Sequence, residues 1–122
     1  MKIMIVDDSR AMRMIVMRTL RQAGLGDHTV VEATSGADAL RMVKESPPDL
    51  ILSDWNMPEM TGMELLNAIN TDGIRVKLGF VTSESSATMR AQAMEAGAIF
   101  FLSKPFTADN FRETVKPWVV GG

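Results

Sequence analysis

Five side chains able to do chemistry close short apolar runs along this sequence. Asp7 and Asp8 follow Ile3-Met4-Ile5-Val6, and Asp54 follows Leu50-Ile51-Leu52-Ser53. Thr82 follows Phe80-Val81, and Lys104, after Ser103, follows Ile99-Phe100-Phe101-Leu102. An apolar run of this length, bounded for Asp54 by Pro47-Pro48 and Pro58, reads as a buried strand of a parallel sheet. A carboxylate is costly to bury, so it belongs at the strand's carboxyl end, where open α/β sheets bind ligands. Three acids, a hydroxyl and an ammonium would then converge on one edge.

Three carboxylates near one point repel, and a hard divalent cation is the simplest remedy. Magnesium combines one or two carboxylates with phosphate oxygens and waters, which suits phosphoryl transfer. An aspartate can itself be the nucleophile, forming an aspartyl-phosphate. Lys104 would supply a point charge for the transferred group, and the Thr82 hydroxyl could donate to a phosphoryl oxygen. Each residue also has a plainer reading. Asp7-Asp8 can cap a helix, Lys104 before Pro105 can be a solvated loop lysine, and Thr82 or Asp54 can be ordinary strand-end residues. Their joint placement at the ends of successive strands favours the site.

The elements that must position them alternate regularly. Strand Lys2–Val6 leads into a helix from about Ser9 to Gln22, with Met12, Ile15, Val16, Thr19, Leu20 and Ala23 as its inward stripe. Gly24 and Gly26 close it. Thr29–Ala33 is the second strand, and Ser35 caps a helix reaching about Glu45. After the Asp54 strand, Thr61-Gly62-Met63-Glu64 matches a capping box for a helix to about Asn70. Val76–Val81 is the fourth strand, with Gly79 marking close packing. A helix over 87–96 precedes strand Ile99–Leu102, and Thr107 caps a last helix carrying Phe111, Val115 and Trp118. Five βα units imply a parallel sheet covered on both faces by right-handed crossovers.

Composition agrees with one α/β domain over residues 1–122. The 122 residues are 46% hydrophobic and 23% charged, enough to bury roughly two-thirds of the extended-chain surface. A net charge of −2 offers no basic field for nucleic acid. No apolar stretch approaches the ~20 residues of a membrane span, and no signal-peptide pattern opens the chain. With no cysteine and only His28, neither a thiolate nor a histidine zinc site can be built. A cytoplasmic monomer is expected. The eleven methionines read mostly as adaptable core filler. Gly121-Gly122 is compatible with a natural end or with an internal point of a longer chain.

Val6-Asp7-Asp8-Ser9, Ser53-Asp54-Trp55-Asn56-Met57-Pro58, Thr61-Gly62-Met63-Glu64-Leu65-Leu66, Val81-Thr82 and Lys104-Pro105-Phe106 resemble the receiver domain of two-component response regulators. The likeness covers essentially the whole chain and is greatest to the single-domain chemotaxis members. It implies a flavodoxin-like (βα)5 fold with strand order 2-1-3-4-5, and a signalling switch that catalyses only its own phosphorylation and dephosphorylation. By this resemblance Asp54 is the phosphoacceptor, and Asp8, Asp54 and the Asn56 backbone carbonyl hold Mg2+, with Asp7 acting through a coordinated water. Thr82 and Lys104 match the switch hydroxyl and the phosphate-binding lysine, and Lys104-Pro105 a cis peptide. Phe101 takes the switch-aromatic position, often tyrosine in chemotaxis members. Asn56 and Glu84 match positions that tune dephosphorylation through water access.

The implied phosphodonor is a histidine kinase, for which Met14 and Met17, rimmed by Arg10, Arg13 and Arg18, form a candidate docking face. The implied output face presents Ala87, Arg90, Phe101, Ser103 and Lys116, toward a flagellar motor switch or a phosphotransfer protein. Ser85-Ser86-Ala87 stands where some chemotaxis members carry lysines. A relay shuttle and a receiver belonging to a longer transcription regulator remain alternatives. An aspartate-nucleophile phosphatase would place its nucleophile after the first strand in an Asp-x-Asp pattern, unlike Asp7-Asp8. A flavin carrier would need a glycine- and hydroxyl-rich phosphate loop there, and two acids would repel the phosphate.

Overall fold

The computed structural model describes residues Met1–Val119; residues 120–122, with the terminal Gly121-Gly122, lie outside the described part. Five strands, β1 (Lys2–Val6), β2 (Thr29–Ala33), β3 (Leu50–Ser53), β4 (Lys77–Thr82) and β5 (Phe101–Ser103), alternate with five helices. These are α1 (Arg10–Gln22), α2 (Gly36–Glu45), α3 (Gly62–Thr71), α4 (Ala87–Glu95) and α5 (Ala108–Val115). All strands are parallel, in the order β2-β1-β3-β4-β5 expected from the family resemblance.

β1 explains why the sheet is stable. Its apolar residues alternate between two cores, Met4 and Val6 on one face, Ile3 and Ile5 on the other. The first face packs against α2, α3 and α4 through Val43, Leu65, Leu66 and Ala93. The second packs against α1 and α5 through Val16, Leu20, Phe111 and Val115. Each fully buried Ile or Leu contributes about 1.5–3 kcal/mol, so a strand with no exposed apolar side chain anchors both layers. The helices start where hydroxyls satisfy their free N–H groups: Ser9, Ser35, Ser86 and Thr107 each accept from the third residue on. Thr61 and Glu64 form the expected reciprocal capping box. On α2, the hydrogen bond from Arg41, then that from the Thr34 N–H, holds the Asp38 carboxyl below its ordinary range.

Several boundaries and faces differ from expectation. β4 begins one residue later and ends one later, at Thr82. β5 is regular only from Phe101, although Ile99 N–H already donates to Leu78 O (2.9 Å) and Phe80 N–H to Phe100 O (3.0 Å). On α1 the expected stripe is buried at Val16, Thr19, Leu20 and Ala23, but its edge differs: Arg13 is buried, whereas Ile15 is 41% exposed. Helical spacing alone cannot anticipate this, because a guanidinium is tolerated inside only if tertiary partners receive it. Trp118 lies half-buried in a short 3-10 turn, Lys116–Trp118, after α5 has ended. Pro117 lacks the N–H needed to continue the helical ladder.

Gly79 on β4 is the close approach that its position suggested. A Cβ there would collide with the Phe100 ring, which lies across the strand. Gly79→Ala is expected to destabilise the protein by about 1–3 kcal/mol, as overpacking does in a dense core. Urea unfolding would measure it as a lower midpoint with an unchanged slope.

Candidate functional site

Strand register brings the acids to one height. Val6 is level with Ser53 on β3 and with Ala33 on β2, so Asp7 and Asp54 leave the sheet side by side. This is the point where successive strands switch from one side of β1 to the other, and the crevice beyond it is open. Backbone bonds continue past the strands: Asp54 N–H donates to Val6 O (2.9 Å) and Asp7 N–H to Ala33 O (3.2 Å).

Asp7, Asp8 and Asp54 each offer a carboxylate oxygen within 4.8 Å of the others. Asp7 is buried, Asp54 half-buried and Asp8 exposed, so the cluster is closed below and open to solvent above. Lys104 Nζ reaches across from the end of β5, 3.2 Å from Asp7 Oδ2 and 3.6 Å from Asp54 Oδ2. The side chains of Lys104, Asp7 and Asp54 retain 14%, 5% and 12% exposure, so these charges are only weakly screened. Asp7 Oδ1 accepts from Ser9 N–H at 2.8 Å, and Asp54 Oδ1 accepts from Trp55 N–H at 2.7 Å. One ammonium thus pairs with two of the three carboxylates. An all-oxygen set with excess negative charge and an open side fits a hard divalent cation.

The remaining expected residues surround this cluster. Thr82 is fully buried at the end of β4; its hydroxyl accepts from Glu84 N–H (3.3 Å), and its carbonyl accepts from Lys104 N–H (2.7 Å). The Lys104-Pro105 peptide is cis. Asn56 Nδ2 donates to Glu84 Oε1 at 2.6 Å, joining the loops after β3 and β4 at the rim. Phe101 is reached through Trp55: the two rings meet edge-on at 6.2 Å, and Trp55 and Phe80 are 5.1 Å apart. The Phe101 ring is already 5% exposed, with the Arg90 guanidinium 5.1 Å from its centroid. Gly62 lets the loop after β3 fold back, since a Cβ there would strike the Asp54 carbonyl and the Phe80 ring.

Two features escaped the sequence reading. Arg13, expected on the exposed basic rim, turns inward and donates Nη1 to Asp7 O at 2.7 Å. Phe80 completes the aromatic cluster under the acids, a role that an apolar strand residue does not advertise. Met17 packs partly against the core, so the apolar pair exposed on α1 is Met14 and Ile15 rather than Met14 and Met17.

Residues 3–116 match the family model for the response regulator receiver domain. The chain belongs to the response regulator receiver family. It is 40% identical over 119 residues to the chemotaxis protein CheY of Pseudomonas aeruginosa, covering 95% of this chain and 94% of that protein. Chemotaxis protein CheY-3 of Vibrio cholerae is also 40% identical, over 115 residues, covering 93% of this chain and 87% of the relative. Among solved structures, Vibrio cholerae CheY4 superposes with a TM-score of 0.82 at 32% identity, covering 98% of each chain. The receiver domain of a Luxo repressor protein from Vibrio parahaemolyticus reaches 0.88 at 24% identity, with 97% of this chain and 88% of that one covered, a likeness of fold. Among the described residues, no helix is long and apolar enough to cross a membrane.

The receiver cluster is strained by like charge, and its members differ in compensation. Asp7 and Asp54 share Lys104, whereas Asp8 has no cationic partner among the described residues. In chelator, Asp8→Asn is expected to raise the urea midpoint. Lys104→Met should lower stability by about 3 kcal/mol, because it strands the buried Asp7 carboxylate and the half-buried Asp54 carboxylate. Equal midpoints for both variants would show that the repulsion is negligible.

Proposed function

We propose that this receiver is a phosphorylatable switch in chemotaxis signalling, accepting a phosphoryl group on Asp54 from a histidine kinase. The observation that carries the reading is the cluster itself: three carboxylate oxygens within 4.8 Å, with Lys104 bridging Asp7 and Asp54. Asp7, Asp8, Asp54 and the Asn56 carbonyl would hold Mg2+, which when bound neutralises charge on the phosphoryl oxygens. The Trp55 N–H fixes the acceptor carboxylate through Oδ1 and leaves Oδ2 on the Lys104 side. An oxygen of Asp54 forms the new O–P bond as the P–N bond to the donor histidine breaks, and the histidine nitrogen keeps the electron pair. Lys104 exchanges its carboxylate contacts for the incoming phosphoryl oxygens, and the Thr82 hydroxyl leaves Glu84 N–H to donate to them.

The same geometry supports the remaining roles. Hydrolysis must bring water past Asn56 and Glu84, whose mutual hydrogen bond spans the rim, so these two residues tune the phosphate lifetime. Movement of Thr82 and of the Trp55–Phe101 contact changes the surface around Arg90, and this α4–β5–α5 face meets the output partner, a flagellar motor switch or a phosphotransfer protein. The end-to-end likeness to chemotaxis proteins supports the first of these. The kinase docks beside the acids, where Met12, Ile15, Ser83, Lys104, Pro105 and Phe106 line an apolar groove of about 360 Å3. Exposed Arg10 and Arg18 lie on the same helix, and Arg18 lines a second pocket with Met14 and Met17.

Incubation with Mg2+ and a small acyl-phosphate donor is expected to label the protein and change Trp55 emission, recorded in a Trp118→Phe background. Asp54→Asn should abolish the label. Stable labelling retained in that variant would refute the assignment. Ile15→Lys, which puts a charge in that groove, is expected to slow transfer from the cognate kinase by about tenfold or more, the effect of losing an interface anchor, while labelling by the small donor is unchanged. Equal loss with both donors would place the defect in the acid site rather than in docking.

A further inference from the structure

Arg13 is a buried cation that the phosphoryl-transfer chemistry does not use. It is 8% exposed, on a helix whose other arginines are exposed. A guanidinium is kept inside only where fixed acceptors receive its fork of donors. Two do so here. Nε donates to Glu32 Oε1 on β2 at 2.9 Å, and Nη1 donates to the Asp7 carbonyl at 2.7 Å.

That carbonyl belongs to the peptide joining Asp7 to Asp8. The plane of this peptide sets the direction in which Asp8 projects. Asp7 is held by its own side chain, through Ser9 N–H and Lys104. The Asp8 carboxylate has neither a hydrogen-bond donor nor a cationic partner among the described residues, so only its backbone aims it at Asp7 and Asp54.

We propose that Arg13 is a positioning residue for divalent-cation binding, clamping the Asp7–Asp8 peptide so that the unpartnered Asp8 carboxylate completes the site. The proposal rests on the reading that Asp7, Asp8 and Asp54 hold a divalent cation. Its sign separates it from simple electrostatics. A guanidinium close to a cation site repels the cation, so charge alone predicts tighter binding once Arg13 is removed. Loss of the clamp predicts weaker binding.

Magnesium chloride titration of the Trp118→Phe protein, followed by Trp55 emission, gives the dissociation constant without any phosphodonor. Arg13→Met keeps the apolar stem and removes the donors. It is expected to raise the dissociation constant about tenfold or more, in the range found when partners of metal ligands are lost. Glu32→Gln, which leaves the Asp7 clamp in place, should change it less than about threefold by the same measure. A folded Arg13→Met protein with unchanged or tighter Mg2+ binding would overturn the proposal, even if its melting temperature fell. Should Arg13→Met not fold, Arg13→Lys serves instead: it preserves the charge but loses the two-point fork, and unchanged or tighter binding would again overturn the clamp. If the parent protein shows no saturable response to Mg2+, the cation reading fails first, and the Arg13 proposal with it.

Discussion

Like-charge repulsion at the carboxyl ends of β1 and β3 is the constraint around which this molecule is arranged. Asp7 and Asp54 sit within 4.8 Å of one another, where two unit charges repel by roughly 3 kcal/mol at an effective dielectric constant of about 20. Lys104 offsets that repulsion from the end of β5, and the N–H groups of Ser9 and Trp55 share the charge. None of these groups alone balances the cluster. An excess of negative charge therefore remains, facing the solvent side, and the chemistry of the site follows from that excess.

Holding such a cluster requires a rigid frame, and the sheet provides it. β1 is buried on both faces and carries the acids only after its last apolar residue, Val6. The level register of Val6 and Ser53 fixes the separation of the two loops before any side chain acts. Close backbone approaches then set the loops themselves. Gly62 admits the Asp54 carbonyl, and Gly79 admits the Phe100 ring that brings β5, and with it Lys104, against β4.

The acid cluster is also the top of a packed column. Trp55 holds Asp54 through its N–H while its ring rests on Phe80 and meets Phe101 edge-on. Arg90 on α4 covers the outer face of Phe101. A change of charge at Asp54 therefore acts on side chains that have neighbours to displace, because dense cores shift between arrangements rather than deform smoothly. With phenylalanine in place of tyrosine, that column ends at a guanidinium rather than at a hydroxyl.

Much of this was legible in the residues because strands of a parallel sheet are continuous apolar runs and polar residues can only end them. The five βα units, the capping box at Thr61 and the candidate cluster of Asp7, Asp8, Asp54, Thr82 and Lys104 all follow from that rule and from the family likeness. The close packing at Gly79 was legible for a related reason: a glycine inside an apolar strand marks a place with no room for a side chain. What the sequence could not decide was the edge of the face that α1 buries. Arg13 and Ile15 stand two residues apart, on opposite sides of one helix, and their spacing admits either as the edge of its buried face. Only the meeting of α1 with the ends of β1 and β2 gives the guanidinium the Asp7 carbonyl and Glu32 as partners, turning Arg13 inward and leaving Ile15 at the surface. Sequence pattern determines where a polar group ends a strand; whether a charge can be buried depends on acceptors from distant segments, and these exist only in the folded chain.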